Sequence, residues 1–333
     1  IVRLECGHIF HQSCWDRQGL VTRSTTRRNG RTCPNCRAPN ARIQGLWAYV
    51  RTNVSTQLLP DGTMAENLLK AGYVVQAYDI DPKARELFEG ECAKSCSEAF
   101  EGANIVITML PNGENVRDVF LDSNNFKTTA KKCVAFDMSS SSPFDTVKLG
   151  NMVDEHVKLM DAPVSGGVLR AKQGTLSMMV GGQSKQLKKH EPLLKVLTSS
   201  IFLCGPLGTG HAMKALNNYV SAAGMVSACE ALFAAQTFGI DPSLCIDILN
   251  ASTGMNYSTK NKIKQMILSK HYNSGFGIQL QAKDVNIAES FSKDLDLKLS
   301  LLSSMSNLLN IVSSKLPTDA DHTEIFKYLE NKN

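Results

Sequence analysis

A lysine and an asparagine four residues apart carry the first chemical signal in the chain. Lys214 and Asn218 close the run Gly205-Pro206-Leu207-Gly208-Thr209-Gly210-His211-Ala212-Met213-Lys214-Ala215-Leu216-Asn217-Asn218. Its glycines interrupt regular structure, and the apolar pattern from Ala212 to Phe238 then predicts a long helix. At i and i+4 both side chains project from one face about 6 Å apart, so an alcohol oxygen fits between an amine and an amide. Burial would leave the amine partly neutral and able to accept a hydroxyl proton. A second signal is Asp161-Ala162-Pro163-Val164-Ser165-Gly166-Gly167. Ser165 offers a hydroxyl, and Gly166 and Gly167 offer unhindered N–H groups, which together form a receptor for a carboxylate. Seen alone, the first run is also a helix with a surface lysine and the second a glycine-rich turn. A third signal lies near the start: Cys6, His8, His11 and Cys14, followed by Cys33 and Cys36. Soft ligands two residues apart, met by a distant pair, are what tetrahedral zinc requires.

The elements that would position these groups change character along the chain. From Met64 a helix ends at Gly72, and strands are predicted at Tyr73–Tyr78, Ile105–Leu110, Cys133–Met138 and His156–Met160, with another at Ser177–Val180. Strands alternating with helices predict an open, doubly wound parallel sheet of Rossmann-like α/β type, with ligands at the strands' carboxyl ends. An all-helical C-terminal domain is expected after it. The expected division is 1–42, a partial zinc finger; 43–62, a junction; 63–205, the nucleotide domain; and 206–333, a helical catalytic and dimerisation domain.

From Met64 to Leu329 these phrases resemble, in order and spacing, the 3-hydroxyacid dehydrogenase family that includes 3-hydroxyisobutyrate dehydrogenase. The resemblance implies Lys214 and Asn218 as catalytic residues, Ser165, Gly166 and Gly167 as the substrate-carboxylate site, and NAD as cofactor. It implies cofactor contacts at Asp79, at Met109, Leu110 and Pro111, at Ser140, and at Phe276, Lys283 and Asp284. Lys283 would reach the nicotinamide end, with Asp284 positioning it. Asp79, directly after the expected strand Tyr73–Tyr78 (the family's second), would accept from the adenosine ribose and repel a 2′-phosphate, which favours NAD over NADP. The acidic run Asp319-Ala320-Asp321-His322-Thr323 resembles the family's closing segment. The implied reaction is oxidation of 3-hydroxyisobutyrate to methylmalonate semialdehyde, a step of valine (branched-chain amino acid) degradation, by a homodimer in the mitochondrion. Reduction of glyoxylate or succinic semialdehyde is the alternative within the class.

The family's opening strand and Gly-x-Gly-x-x-Gly turn are degraded or replaced. Counted back from Met64, the third glycine's place holds Asp61, and Gly62 is one place out of register. Those glycines let backbone N–H groups approach a pyrophosphate at the helix N-terminus. A carboxylate about 5 Å from a phosphate costs about 3 kcal/mol at an effective dielectric near 20, around a hundredfold in affinity. A pseudoenzyme with an intact catalytic half therefore stays open as a second class. The words CGHIFHQSCW and RTCPNCRAP resemble the latter ligands of a RING-H2 finger. That resemblance implies one zinc at Cys6, His8, Cys33 and Cys36, with His11 and Cys14 a possible second half-site. A basic tail without metal, a single zinc site, and a ubiquitin ligase working with a ubiquitin-conjugating enzyme are the readings left for this appendage.

Composition narrows the classes. The 333 residues are 43% hydrophobic and 20% charged, which fits two globular domains. Residues 1–51 carry nine arginines against two acids, whereas the rest holds 27 basic and 29 acidic residues. The net charge of +5 is thus local to the front and points to no nucleic-acid partner. No apolar run reaches the roughly 20 residues of a membrane span. The cysteines beyond residue 90 are scattered, as expected for buried thiols in a reducing compartment.

Overall fold

The computed structural model describes residues 2–3, 9–10, 46–50, 63–122, 133–153 and 157–331. The chain divides into two units, 1–45 and 46–333. In the first, β1 (Val2–Arg3) pairs antiparallel with β2 (Ile9–Phe10). The proposed zinc ligands Cys6, His8, His11, Cys14, Cys33 and Cys36 lie outside the described residues. Among the described residues, no group of three or more His, Cys, Asp or Glu could hold a metal ion.

The second unit is built on a nine-stranded sheet. Its strands are β3 (Leu46–Val50), β4 (Gln76–Asp79), β5 (Glu91–Cys92), β6 (Ile105–Met109), β7 (Cys133–Asp137), β8 (Val157–Asp161), β9 (Val164–Ser165), β10 (Leu176–Gly181) and β11 (Thr198–Gly205). Their order is β11-β10-β8-β7-β6-β3-β4-β5, with β9 paired to β10. β6, β7 and β8 are mutually parallel and buried nearly throughout. Sequences such as Ile105-Val106-Ile107-Thr108-Met109 suit a strand covered on both faces, because β-branched side chains pack well on the pleat. The two-residue period sorts them: Ile105, Ile107, Val134 and Phe136 join the core on one face, and Val106, Cys133 and Ala135 the core on the other.

The longer helices flanking the sheet are α1 (Thr63–Lys70), α2 (Gly113–Leu121), α3 (Pro143–Val153), α4 (Gly167–Lys172) and α5 (Ser184–Leu197), and two five-residue helices, Pro82–Glu86 and Cys96–Phe100, lie between α1 and α2. α1 buries Met64, Ala65 and Leu68 against the first core, and the chain reverses at Gly72, whose φ is +86°. The strand after it is shorter than the sequence predicts, Gln76–Asp79 in place of Tyr73–Tyr78. The difference lies in Tyr73–Val75, which follow the left-handed turn before pairing begins.

The position where a family member's first strand would run is filled by β3, but in the opposite direction. β3 is antiparallel to both β4 and β6, with Leu46 opposite Asp79 and Met109. Antiparallel and parallel ladders both satisfy the backbone groups of the neighbouring strands, so the gap is closed either way. The geometry differs at the edge. β3 begins at the sheet's carboxyl edge and ends at the opposite one, so it does not lead directly into α1 as a strand–turn–helix unit would.

The helical half comprises α6 (Thr209–Phe238), α7 (Pro242–Ala251), a π-helix (Thr259–Leu268), α8 (Ile278–Asp294), α9 (Ser300–Lys315) and α10 (Ile325–Glu330). α6 runs 30 residues between two left-handed glycines, Gly208 and Gly239. It buries Ala215, Ala222, Met225, Val226, Cys229 and Leu232 in the helical core, and Phe233 stacks on Phe326 at 4.6 Å. Among the described residues, no helix is long and apolar enough to cross a membrane.

Candidate active site

The first turn of α6 is fixed from outside the helix. Asp161, at the end of β8, accepts from Gly208 N through Oδ1 and from His211 N through Oδ2, both at 2.7 Å. A carboxylate on two otherwise unpaired N–H groups satisfies the helix terminus and matches its positive end. Glycine is required beside it: a Cβ on Gly210 would lie 2.4 Å from Met179 O and 2.9 Å from Asp161 Oδ2.

One turn further on stand Lys214 and Asn218. Asn218 is buried, and its Nδ2 donates to Asp284 Oδ2 at 2.5 Å while its Oδ1 accepts from Asn217 Nδ2 at 3.1 Å. Lys214 is half-buried, and burial holds its ammonium below the ordinary lysine range; Asp284 opposes that effect and Lys283 adds to it. From α8, Lys283 Nζ donates to Pro111 O at 2.9 Å and Ser140 O at 3.3 Å, and lies 3.4 Å from Asp284 Oδ1. Lys214, Asn218, Asp284, Lys283, Pro111 and Ser140 thus form one corner, in which the Lys283–Pro111 bond alone spans 172 positions.

The loops at this corner are themselves tied together. Leu110 N donates to Ser139 Oγ at 2.8 Å, which joins the loop after β6 to the loop after β7. Met109 closes β6, and Gly113, where α2 begins, would bring a Cβ within 3.1 Å of Ser141. Phe276 precedes α8, and its carbonyl accepts from His322 N at 2.8 Å while its ring meets the His322 edge at 5.5 Å. Asp321 accepts from Gly275 N and Thr323 N, both at 2.9 Å, and so fastens that loop to the C-terminal segment.

Ser165 ends β9, and Gly166 and Gly167 come next with φ of +141° and +70°, conformations that leave their N–H groups unscreened by a Cβ. This turn neighbours the Phe276 loop: a Cβ on Gly275 would lie 3.9 Å from Val168 Cγ2. Among the described residues, no hydrogen bond joins Ser165 to Lys214. Asp79 stands apart at the end of β4, buried, with Oδ1 accepting from Asp81 N at 2.5 Å. Desolvation pushes its carboxyl up to about 7, and the Arg85 guanidinium, which donates to the Asp79 carbonyl, opposes that rise.

A dinucleotide fits these residues at its ends. Asp79 is a carboxylate for a ribose, and the Lys283 corner holds a buried carboxylate oxygen, Asp284 Oδ1, with no hydrogen bond. The pyrophosphate is not matched in the same way among the described residues, because β3 runs antiparallel to its neighbours and ends at the sheet's opposite edge. Sequence patterns mark neither Asp137 nor Asp161 nor His211 as a site residue, although Asp161 opens one of the glycine-containing phrases and His211 sits inside another.

With a lysine-bearing helix at the sheet's carboxyl edge, the chain is an NAD-dependent 3-hydroxyacid dehydrogenase by its likeness to known proteins. Residues 62–205 match a family described as the NAD-binding domain of 6-phosphogluconate dehydrogenase. Residues 208–329 match one described as NAD-binding of NADP-dependent 3-hydroxyisobutyrate dehydrogenase. The mouse mitochondrial 3-hydroxyisobutyrate dehydrogenase is 34% identical over 280 residues, 81% of this chain and 84% of the mouse protein. An NAD-dependent L-serine dehydrogenase of Pseudomonas aeruginosa is 32% identical over 68% of this chain and 80% of its own length. A solved Mycobacterium tuberculosis 3-hydroxyisobutyrate dehydrogenase with L-serine superposes with a TM-score of 0.75 at 28% identity, covering 82% of this chain and 97% of that one. The chain belongs to the 3-hydroxyisobutyrate dehydrogenase family.

Proposed function

We propose that this protein oxidises a 3-hydroxy acid, 3-hydroxyisobutyrate being the best-supported substrate, to the corresponding semialdehyde, with Lys214 as the base. The bond from Asn218 to Asp284 carries the reading, because it sets the Lys214–Asn218 face against the helix whose Lys283 grips the Pro111 and Ser140 carbonyls. Bound NAD supplies the hydride acceptor. Ser165, Gly166 and Gly167 take the substrate carboxylate. One Nδ2 hydrogen of Asn218 is committed to Asp284, and the other donates to the alcohol oxygen. Lys214 removes the hydroxyl proton as hydride leaves the adjacent carbon. The burial that lowers its pKa raises the neutral fraction available for that step.

The mitochondrial names of the mammalian and Arabidopsis relatives support placing the reaction in the mitochondrion, where the valine-degradation reading would have it. The bacterial relatives named for L-serine and for 2-(hydroxymethyl)glutarate keep the substrate class at 3-hydroxy acids. The buried carboxylate of Asp79 favours NAD, and assembly as a homodimer through the helical half is part of the same proposal.

The decisive variant is Lys214→Ala. It should lower kcat by about 10²–10⁴-fold while leaving the melting temperature and NADH affinity near wild type. Near-wild-type turnover in that variant would falsify the role. Wild-type protein that fails to quench or enhance NADH fluorescence would instead favour a pseudoenzyme, a reading that the unmatched pyrophosphate position supports.

A further inference from the structure

A buried histidine outside the reacting face links the catalytic helix to the cofactor-lining loop. His211 is 1% exposed and sits three residues before Lys214 on α6. Its Nδ1 lies 2.8 Å from Thr146 Oγ1 on α3. Its Nε2 lies 3.7 Å from Asp137 Oδ2 and makes no hydrogen bond. Asp137, equally buried, closes β7 and organises the serine-rich loop beyond that strand. Its Oδ1 accepts from Thr108 Oγ1 at 2.9 Å and from Ser139 N at 3.1 Å, and Ser141 Oγ donates to its Oδ2 at 3.5 Å. The same loop carries Ser140, whose carbonyl receives Lys283.

The polarity of this contact is dictated by elementary electrostatics. A bare imidazole lone pair facing a carboxylate oxygen across dry protein is repulsive. A proton on Nε2 turns the same contact into an attraction, strengthened by the low local dielectric. Thr146 Oγ1 also donates to Ser142 O at 2.9 Å, but that carbonyl already accepts from Thr146 N at 3.0 Å, so the hydroxyl proton can turn to Nδ1 and leave the imidazole proton on Nε2.

We propose that His211, through a proton on Nε2 directed at Asp137, is a positioning residue that registers Lys214 against the Ser139–Ser141 loop. This rests on Lys214 being the base. The imidazole touches no reacting atom. It sets how far the first turns of α6 stand from the loop against which Lys283 and the nicotinamide end are placed. Backbone bonds to Asp161 fix the helix start, and the side-chain contact to Asp137 fixes its rotation about that anchor.

Two amide variants separate this role from a packing role, because each copies one ring nitrogen. His211→Gln keeps a donor near the Nε2 position facing Asp137. His211→Asn keeps a polar group near the Nδ1 position facing Thr146 and abandons Asp137. A positioning role predicts that Asn lowers kcat by up to around a hundredfold, the scale of an ångström-sized misplacement. Gln should recover most of that loss, and neither should change NADH affinity or KM by more than about threefold. Equal activities of the two variants, or an Asn variant that turns over like wild type, overturn the proposal. A test independent of turnover uses the intact protein labelled with ¹⁵N-histidine. The His211 Nε2 signal should be that of a protonated nitrogen and should shift in Asp137→Asn. A bare Nε2 overturns the proposal whatever the activity, whereas wild-type protein with no dehydrogenase activity but a protonated Nε2 overturns only the enzymatic reading.

Discussion

Replacing Asp161 with asparagine should unseat α6 at its origin. Asp161 is fully buried and divides its two oxygens between Gly208 N and His211 N at 2.7 Å each. Asparagine has the same shape but only one accepting oxygen, so its NH₂ must face one of the two backbone donors. One charge-assisted bond, worth about 1.5–3 kcal/mol, is lost, and a buried N–H is left unpaired at about 1–3 kcal/mol. The net penalty is about 4 kcal/mol. Little of it can be relaxed, because the backbone at Gly181 passes so close that a Cβ there would lie 2.3 Å from Asp161 Oδ1. With an unfolding entropy of about 2.1 cal/mol/K per residue, each kcal/mol moves Tm by roughly 1.4 °C in a chain of 333 residues, so a drop of about 6 °C is expected in calorimetry, with a matching shift of the urea midpoint. Asp145→Asn is the control, since its ion pair with Lys148 is solvent-exposed and worth well under about 1 kcal/mol. A loss below about 1 kcal/mol at Asp161, or equal losses at both positions, would refute the view that this carboxylate anchors α6.

Two further outcomes concern backbone room and buried charge. Gly210→Ala should cost about 2–3 kcal/mol by urea denaturation, because its Cβ would meet the fixed carbonyl of Met179 at 2.4 Å. Gly239→Ala, with nothing within 4 Å but a φ of +98°, should cost only about 1–2 kcal/mol. At Asp79 the carboxyl stands near 7, so NADH affinity should fall about fivefold as pH drops from about 8 to about 6 and the charge-assisted bond to a ribose is lost. Fluorescence titration of Asp79→Asn should show that pH dependence abolished; its persistence would assign it elsewhere. The sign for stability is opposite to that of a paired carboxylate. The folded value lies above the ordinary 3.8, so this group's contribution to unfolding free energy declines as pH rises from about 4 to about 7.

Much of the architecture is legible in local patterns, and the gaps have physical causes. Strands β6, β7 and β8 announce themselves as apolar runs closed by Pro111, the serines after Met138, and Asp161, because strands covered on both faces tolerate few polar residues. The long helix shows in its apolar period and its two bounding glycines. Strand β3 cannot be oriented from sequence: Leu46-Trp47-Ala48-Tyr49-Val50 satisfies a sheet equally in either direction. β11 is hidden for another reason. It is an edge strand whose Phe202 and Leu203 face solvent, so no alternation marks it. The Lys214–Asn218 pair is visible as an i, i+4 spacing, but its contact with Asp284 spans 66 positions and belongs to tertiary packing. The polar hub of Asp137, Asp161 and His211 is the hardest to foresee, since charged residues at strand ends ordinarily signal turns and only burial reveals them as anchors.

The 30-residue α6 also constrains how this protein can move. At one end it is pinned to the sheet by Asp161, and at the other Phe233 stacks into the helical half. A rod about 45 Å long therefore joins the sheet's carboxyl edge to the helical core, and any change in how its first turn is seated is carried to the residues spaced along it, Lys214 and Asn218 among them.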